Sequence, residues 1–537
     1  MPDVREAGVA QTVQRQWPGR ASPSRRAFLR RLAVFAVAAP LLALVSQPVA
    51  AQARGPARTT DAGTLVVALP AEPASLNPLI QTGLVEASVQ MNIFDGLAAL
   101  DADGVPQPAL AQSWEVLDDT TWEFRLRPDV SFHNGEPFDS AAVRFTIETM
   151  LDPASNSPVR AQLSAIDRIE TPEPLASRIV TRQPFAPLLA ELTALAILPP
   201  QHTASVGMDG LSRQPVGTGP YRFVQWMHDE RIVLEANRDH WRGAPTLDHV
   251  EFRPIPEAAT RLAALRTGEV GLAANVPADL AATVTSGGFR VLARPGIQTL
   301  YVRLNARRPP LDDVRVRRAL ACAIDADTII ATLFGGRAHR VAAPFPPDVF
   351  GYDASVAPVP YDPDQARALL AEAGRADGLS LTFETPQGRY PGDTQVPLAI
   401  AGYLERVGVR ANIQTLEWAT YLQKVSAGKG EDLFLLAGTN RTFDPHFTMA
   451  RLYANASSFG RDYYGNPAID ALVDQAAATL DRGQREAIYH QLLAILRNDV
   501  PAIWLAQLDD LYGARADLAW QPRADSLLWL KDASLAP

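Results

Sequence analysis

The chain has 537 residues, 47% of them apolar and 20% charged, which is long enough for two or three domains around a large core and too apolar for a disordered chain. A formal net charge of −9 argues against nucleic acid as a general partner. The lone cysteine, Cys322, excludes an intrachain disulfide and a cysteine-based zinc cluster.

Residues 1–53 read as an export leader. Ser24-Arg25-Arg26-Ala27-Phe28-Leu29-Arg30 fits the twin-arginine pattern, with an alanine-rich apolar stretch from Leu32 to Val45 behind it. That stretch is interrupted by Pro40 and is too short and weakly apolar for a permanent transmembrane helix. Small residues set a cleavage site after Ala51 or Ala53; the competing reading is an arginine-flanked buried helix. The segment carries seven arginines and two acids, net +5, which leaves −14 (−9 less +5) for the remainder. Cys322 lies far from the leader, so a lipid-anchored N-terminal cysteine is excluded, and a mature protein free in the periplasm is expected.

Thr64–Leu69 reads as a short apolar strand, followed by a turn-rich loop from Glu72 to Pro78. Over Thr121–Arg127, Trp122, Phe124 and Leu126 alternate with Glu123, Arg125 and Arg127, the pattern of a half-buried strand. Phe132–Phe138 is a turn into a helix from Asp139 onward; His133 within it reads as a turn residue before it reads as a metal ligand. Residues 152–215 are proline-rich with short apolar runs, as an inserted subdomain would be. Gly217 and Gly219 stand in PVGTGPYRF. With Pro220 next and no lysine following, a phosphate loop is rejected in favour of a tight turn into strands at Tyr221–Trp226 and Arg231–Glu235. Arg261–Gly271 reads as a helix feeding a strand.

Tyr301–Ile330 reads as a strand, a proline-stopped turn and a helix. Tyr301–Asn305 alternates, Pro309-Pro310 cannot donate to a ladder, and Asp312-Asp313 supply cap and first-turn residues. Val316, Ala319, Leu320, Ala323 and Ile324 form the apolar face, with Arg315, Arg317 and Arg318 as its solvated flank. Beyond it come a helix at Gln365–Ala373, a strand at Leu379–Glu384, a helix near Thr394–Val407 and a strand near Val409–Leu416, the order of an α/β lobe. Two amphipathic helices follow, marked by Ile469, Leu472, Val473, Ala476 and Leu480 and by Ile488, Leu492, Ile495 and Leu496; Ile503–Leu505 reads as a return strand.

Several of these blocks resemble the family 5 extracellular solute-binding proteins, the peptide- and nickel-type receptors of bacterial ABC importers. They are PASLNPL, MNIFDGL, LAQSWEVLDDTTWEFRLRPDVSFHNGEPF, PVGTGPYRF, the Tyr301–Ile330 unit and YDPDQARALLAEAG. The resemblance runs over nearly the whole mature chain. It implies an α/β, two-lobed periplasmic binding protein fold of type II, with an extra subdomain inserted in lobe I. The boundaries read from it are lobe I at 55–100, 212–297 and 510–537, the insertion at 101–211, and lobe II at 298–509.

The same resemblance points to ligand-binding residues in lobe II. An arginine at the place of Arg389 pairs with the ligand carboxylate in dipeptide-binding relatives, a task that suits the guanidinium fork; a solvated or locally bridging arginine is the alternative. Trp418 matches the family tryptophan block that borders the pocket, where a flat indole offers contact area at little entropic cost; core packing is the alternative. Those relatives place a tryptophan, and then the aspartate that holds a peptide ammonium, before an Asp-Pro pair. Here Asp444-Pro445 is the pair, while Gly438 and Arg441 stand at those two places. A guanidinium repels an ammonium, so free-amine dipeptides are disfavoured, and Asp444 is the alternative acid.

The eight histidines are dispersed, without a compact metal spacing, and no Gly-x-Ser-x-Gly elbow is present. Acid pairs such as Asp118-Asp119 and Asp509-Asp510 read as solvated loop charge. The expectation is therefore a binding protein and not an enzyme, needing no cofactor or metal. It would be monomeric, would close on a peptide-like or other carboxylated small solute and would deliver it to a membrane ABC permease. A sensing or chaperone-like receptor on the same scaffold, or a peptide hydrolase, are the competing classes.

Overall fold

The computed structural model describes residues 63–536 apart from 81–82, 156 and 158–159; the leader at 1–53 lies outside the described residues. One sheet of eleven strands runs through the molecule. From one edge its order is Val409–Leu416, Leu379–Pro386, Leu433–Thr439, Arg290–Leu304, Ala502–Ala514, Leu272–Ala273, Thr64–Leu69, His249–Pro254, Arg231–Ala236 and Tyr221–Met227, with Ala338–Arg340 paired alongside Ala502–Ala514. Leu379–Pro386 runs parallel to both of its neighbours, and so does Thr64–Leu69. The inner strands Thr64–Leu69 and Leu433–Thr439 read as nearly unbroken apolar runs, TLVVAL and LFLLAGT, because both faces are covered.

Two long strands hold the halves of this sheet together. Arg290–Leu304 pairs antiparallel with Ala502–Ala514, and the register breaks between Pro295 and Thr299. On one side of the break Gly513 and Ala514 also pair with Leu272–Ala273; on the other, Gln298–Leu304 pairs with Leu433–Thr439. Pro295 has no N–H to donate, and a Cβ on Gly296 would stand 2.6 Å from Asp510 Oδ2, so the ladder bends where these two residues enter it. The expected strand at Tyr301–Asn305 covers only the end of this fifteen-residue strand, which stops at Leu304. Asp509-Asp510, expected as loop charge, lies inside the return strand. There Asp509 Oδ1 is 2.7 Å from His339 Nε2, and Asp510 is partly buried, with its Oδ2 lacking a hydrogen-bond partner among the described residues.

Residues 111–181 form a separate four-stranded antiparallel sheet in the order Ala111–Asp118, Thr121–Leu126, Ala176–Thr181, Ile166–Glu173. The helix Ser140–Leu151 packs on it, and Asp139 caps that helix by accepting from the amides of Ala141 and Ala142. Gly217 and Gly219 owe their identity to close approach: a Cβ at either would stand within 2.6 Å of the Ile93 backbone. His133 joins that crossing, with Nε2 3.0 Å from Gly219 O, and burial pushes its pKa down to about 4.

The unit after Asn305 is two helices, Val314–Cys322 and Ala326–Leu333, capped by Asp313 and Asp325. Arg317 departs from its expected solvated flank. It is buried and donates to the carbonyls of Leu311, Asp312 and Asp499, tying the helix to the end of Arg482–Asp499.

Candidate functional site

A cavity of about 870 Å³ lies against the helix Leu84–Gln90 and the chain that follows it. Gln90, Phe94 and Leu100 line one side, Trp520 and Trp529 come from the C-terminal segment, and Arg441 arrives from the loop after Leu433–Thr439. That volume suits a small organic solute enclosed by apolar and aromatic walls with a few polar groups.

The charged groups lining the cavity are almost all engaged. Asp95 accepts from Thr218 Oγ1 at 3.0 Å and Trp241 Nε1 at 2.9 Å; although burial opposes it, these bonds and His240 hold its pKa below the usual carboxylate value. Arg523 binds Asp525 and the carbonyls of Leu100 and Asp101. Arg242 donates to Pro108 O and stacks on Trp241, Arg290 donates to Leu518 O, and Lys531 pairs with Asp532. Asp101 accepts from the amides of Asp103 and Val105. Arg441 is the exception: it lines the cavity with no hydrogen bond or ion pair to any described residue. Burial lowers its pKa, and the charges of Asp525 and Glu86 partly oppose that shift. Both acids are committed elsewhere, Asp525 to Arg523 and Glu86 to the amide of Ala74 at 3.0 Å.

Gly438 stands three residues before Arg441, and a Cβ there would make only an ordinary 3.4 Å contact with Tyr301. Its smallness is therefore not enforced by packing at the Cβ.

Arg389 and Trp418 are joined to each other but do not line this cavity. Arg389 is exposed, its guanidinium 4.8 Å from the Trp418 ring centre and 5.6 Å from that of Tyr390. Asp393 holds the loop by accepting from the amides of Arg389 at 2.6 Å and Tyr390 at 3.0 Å. Trp418 opens the helix Trp418–Ser426 and is half-buried against Tyr390 and Tyr421, with ring centres at 5.9 and 6.1 Å. Both residues follow the carboxyl ends of the parallel strands Leu379–Pro386 and Val409–Leu416, where open α/β sheets bind ligands.

Asp444, expected as an alternative acid for a ligand ammonium, meets a different geometry. Its oxygens accept from Arg485 Nη1 at 2.6 Å and Nη2 at 2.7 Å, and Oδ1 also accepts from the amide of His446. A buried carboxylate so saturated has little capacity left for a second cation. The loop thus faces two ways: Arg441 lines the large cavity, while Thr442, Phe443 and Asp444 line a second one of about 440 Å³. Trp520, Trp529 and the Arg523–Asp525 pair, which line the cavity, sit in an irregular tail whose only local sequence signal is its tryptophans.

Among the described residues no group of His, Cys, Asp or Glu is placed to hold a metal ion, and no helix is long and apolar enough to cross a membrane. A family model described as bacterial extracellular solute-binding proteins, family 5 (Middle), matches residues 105–460. Di/tripeptide-binding protein 2 of Pseudomonas aeruginosa is 30% identical over 475 residues, covering 82% of this chain and 89% of that protein. The periplasmic binding protein DppA of Helicobacter pylori, solved with the peptide STSA, is 27% identical with a TM-score of 0.76, over 88% of this chain and 98% of that one. AgaA of A. tumefaciens R10, solved with agropinic acid, is 26% identical with a TM-score of 0.75, over 88% and 99%.

Proposed function

The chain belongs to the family 5 bacterial extracellular solute-binding proteins, and from that premise we propose that it captures a carboxylate-bearing, peptide-like solute against Arg441. It is a substrate-binding protein of the kind that serves ABC importers, and not an enzyme. The observation that carries the ligand assignment is the guanidinium of Arg441 on the 870 Å³ cavity, unpartnered among the described residues. A cation half out of water without a partner is costly, and a ligand carboxylate offsets that cost through charge-assisted bonds worth roughly 1.5–3 kcal/mol. The same charge repels an ammonium, so the group facing Arg441 is an acid or a blocked amine. Two relatives support this class by what they were solved with, a peptide and an acid.

In this reading lobe I comprises 55–100, 212–297 and 510–537, the separate four-stranded sheet belongs to an insertion at 101–211, and lobe II is 298–509. The register break at Pro295–Thr299 supports a hinge there, since a bulged ladder bends more readily than a continuous one. In this reading the Arg389–Trp418 shelf serves the ligand's other end. The leader at 1–53 sends the precursor through the twin-arginine route, and the mature protein works as a periplasmic monomer that meets a membrane ABC permease.

A thermal-shift series tests the ligand class, because a compound that binds only the folded state raises the midpoint. N-acetylated and acidic di- and tripeptides are expected to stabilise the protein, and Arg441→Met to abolish the shift. Stabilisation by unblocked neutral dipeptides alone would refute it.

A further inference from the structure

Glu191 lies in the short helix Leu188–Leu192, within the segment that runs from the four-stranded sheet to the large sheet. It is 3% exposed, and its Oε2 has no hydrogen-bond partner among the described residues. Its helix neighbours Leu189 and Ala190 line the 440 Å³ cavity together with Asp444 and Arg485, the buried ion pair of the other half of the chain, whose charges act on Glu191. Arg485 is already engaged, with Nε on Ala476 O, Nη1 and Nη2 on Asp444 and Nη2 also on Tyr489 Oη. The contact that encloses Glu191 crosses between the halves. The amide of Ala186 donates to Ala477 O at 2.8 Å, and Phe185 meets His446 edge-on with ring centres 5.3 Å apart.

We propose that Glu191 is a proton-binding site created by lobe closure, so that the protein closes on its solute more readily as the pH falls from alkaline toward mildly acidic values. This rests on the reading of the chain as a lobe-closing receptor.

The sign follows from the surroundings. Burial first, and the charge of Asp444 second, push the Glu191 carboxyl up to about 8, against the weaker pull of Arg485. When the lobes part, water returns and the carboxyl reverts to an ordinary glutamate, so the closed form binds the proton more tightly and acid favours closure.

The other groups around the contact set the lower limit of the window. His446 is held below its ordinary value by burial, so closure disfavours its protonated form and opposes the trend at pH values below about 6.5. Burial raises Tyr489, which stays neutral throughout. Arg482 and Glu486 line the neighbouring cavity, and Asp474 is exposed and acts on His446. On the helix's other side the strand Ala98–Leu100 carries no titratable residue, and the turn Arg160–Leu163 carries only the exposed Arg160. Between pH 8 and 6.5, then, Glu191 governs the response.

The test places spin labels on cysteines at the exposed positions Asp167 and Glu405 and reads the distance distribution from pH 9 to 5. The ratio of short to long distances is expected to rise roughly tenfold or more between pH 8 and 6.5. In Glu191→Gln, a neutral isostere, that ratio is expected to be high and flat over the same range. A ratio that ignores pH, or that responds equally in Glu191→Gln, overturns the proton site while leaving lobe closure intact. One unchanging distance in both proteins, with and without N-acetyl-alanyl-glutamate, overturns the lobe-closing reading and the proton site with it.

Discussion

Arg485 grips Asp444 through both terminal nitrogens, at 2.6 and 2.7 Å, with both residues almost fully buried. The pair joins the helix Arg482–Asp499 to the loop that carries Arg441. It therefore fixes the loop's course and turns Arg441 toward the large cavity. Removing one member of a buried pair leaves the other charge uncompensated, which costs about 3–5 kcal/mol. Asp444→Asn is expected to lower the urea midpoint accordingly, and Asp444→Asn with Arg485→Met to recover part of the loss. Equal loss in the single and double variants would show that the pair's charge is not what matters.

Reversing the charge of Arg441 should reverse the ligand preference. Arg441→Asp is expected to lose N-acetylated and acidic peptides by about tenfold to a hundredfold in affinity, the equivalent of one charge-assisted bond, and to admit free-amine dipeptides. Titration calorimetry with Ala-Phe and N-acetyl-Ala-Phe against both proteins reads this directly. An unchanged ranking would place Arg441 outside the binding site.

The shelf residue gives a separable result. Arg389 is exposed and stacks on Trp418, so Arg389→Ala should leave the melting temperature without ligand nearly unchanged while weakening a carboxylated ligand about tenfold or more. A drop in the unliganded melting temperature with unchanged affinity would mark it as purely structural.

Asp510 carries a cost at neutral pH. Burial pushes its carboxyl up to about 6, with the charges of Asp509 and Asp525 adding to the rise and a hydrogen bond from Ser526 opposing it. The unfolded chain gives up this proton at lower pH than the folded one, so stability is full below about 4 and falls as pH rises to about 6. Asp510→Asn is expected to gain up to about 3 kcal/mol at pH 7.5 and nothing at pH 3.5. Denaturant midpoints across that range check it.

Export is tested on the precursor. Arg25→Lys with Arg26→Lys should leave it in the cytoplasm, as cell fractionation would show; normal periplasmic yield of the doubly substituted protein would refute the twin-arginine reading.

What the sequence by itself determined was local. Asp139 and Asp313 announce helix starts because a cap bonds amides two or three residues ahead. Thr64–Leu69 and Val409–Leu416 match their expected spans because side-chain alternation and apolar runs are visible within one strand. The motif order, read as resemblance, carried the family. Tertiary structure decided everything that depends on distant partners. The expected strand begins at Tyr301, yet Ala502–Ala514 pairs with the chain from Arg290 onward, on both sides of the shift at Pro295–Thr299. Arg317 looks solvated on a helical wheel until the carbonyl of Asp499 meets it. Asp444 finds its partner 41 residues away. Among the described residues Arg441 is left unpaired because Asp525 and Glu86, both distant in sequence, are taken by Arg523 and Ala74. Periodicity records which face of an element is buried, whereas a charge's partner is set by which elements the folded chain brings against that face.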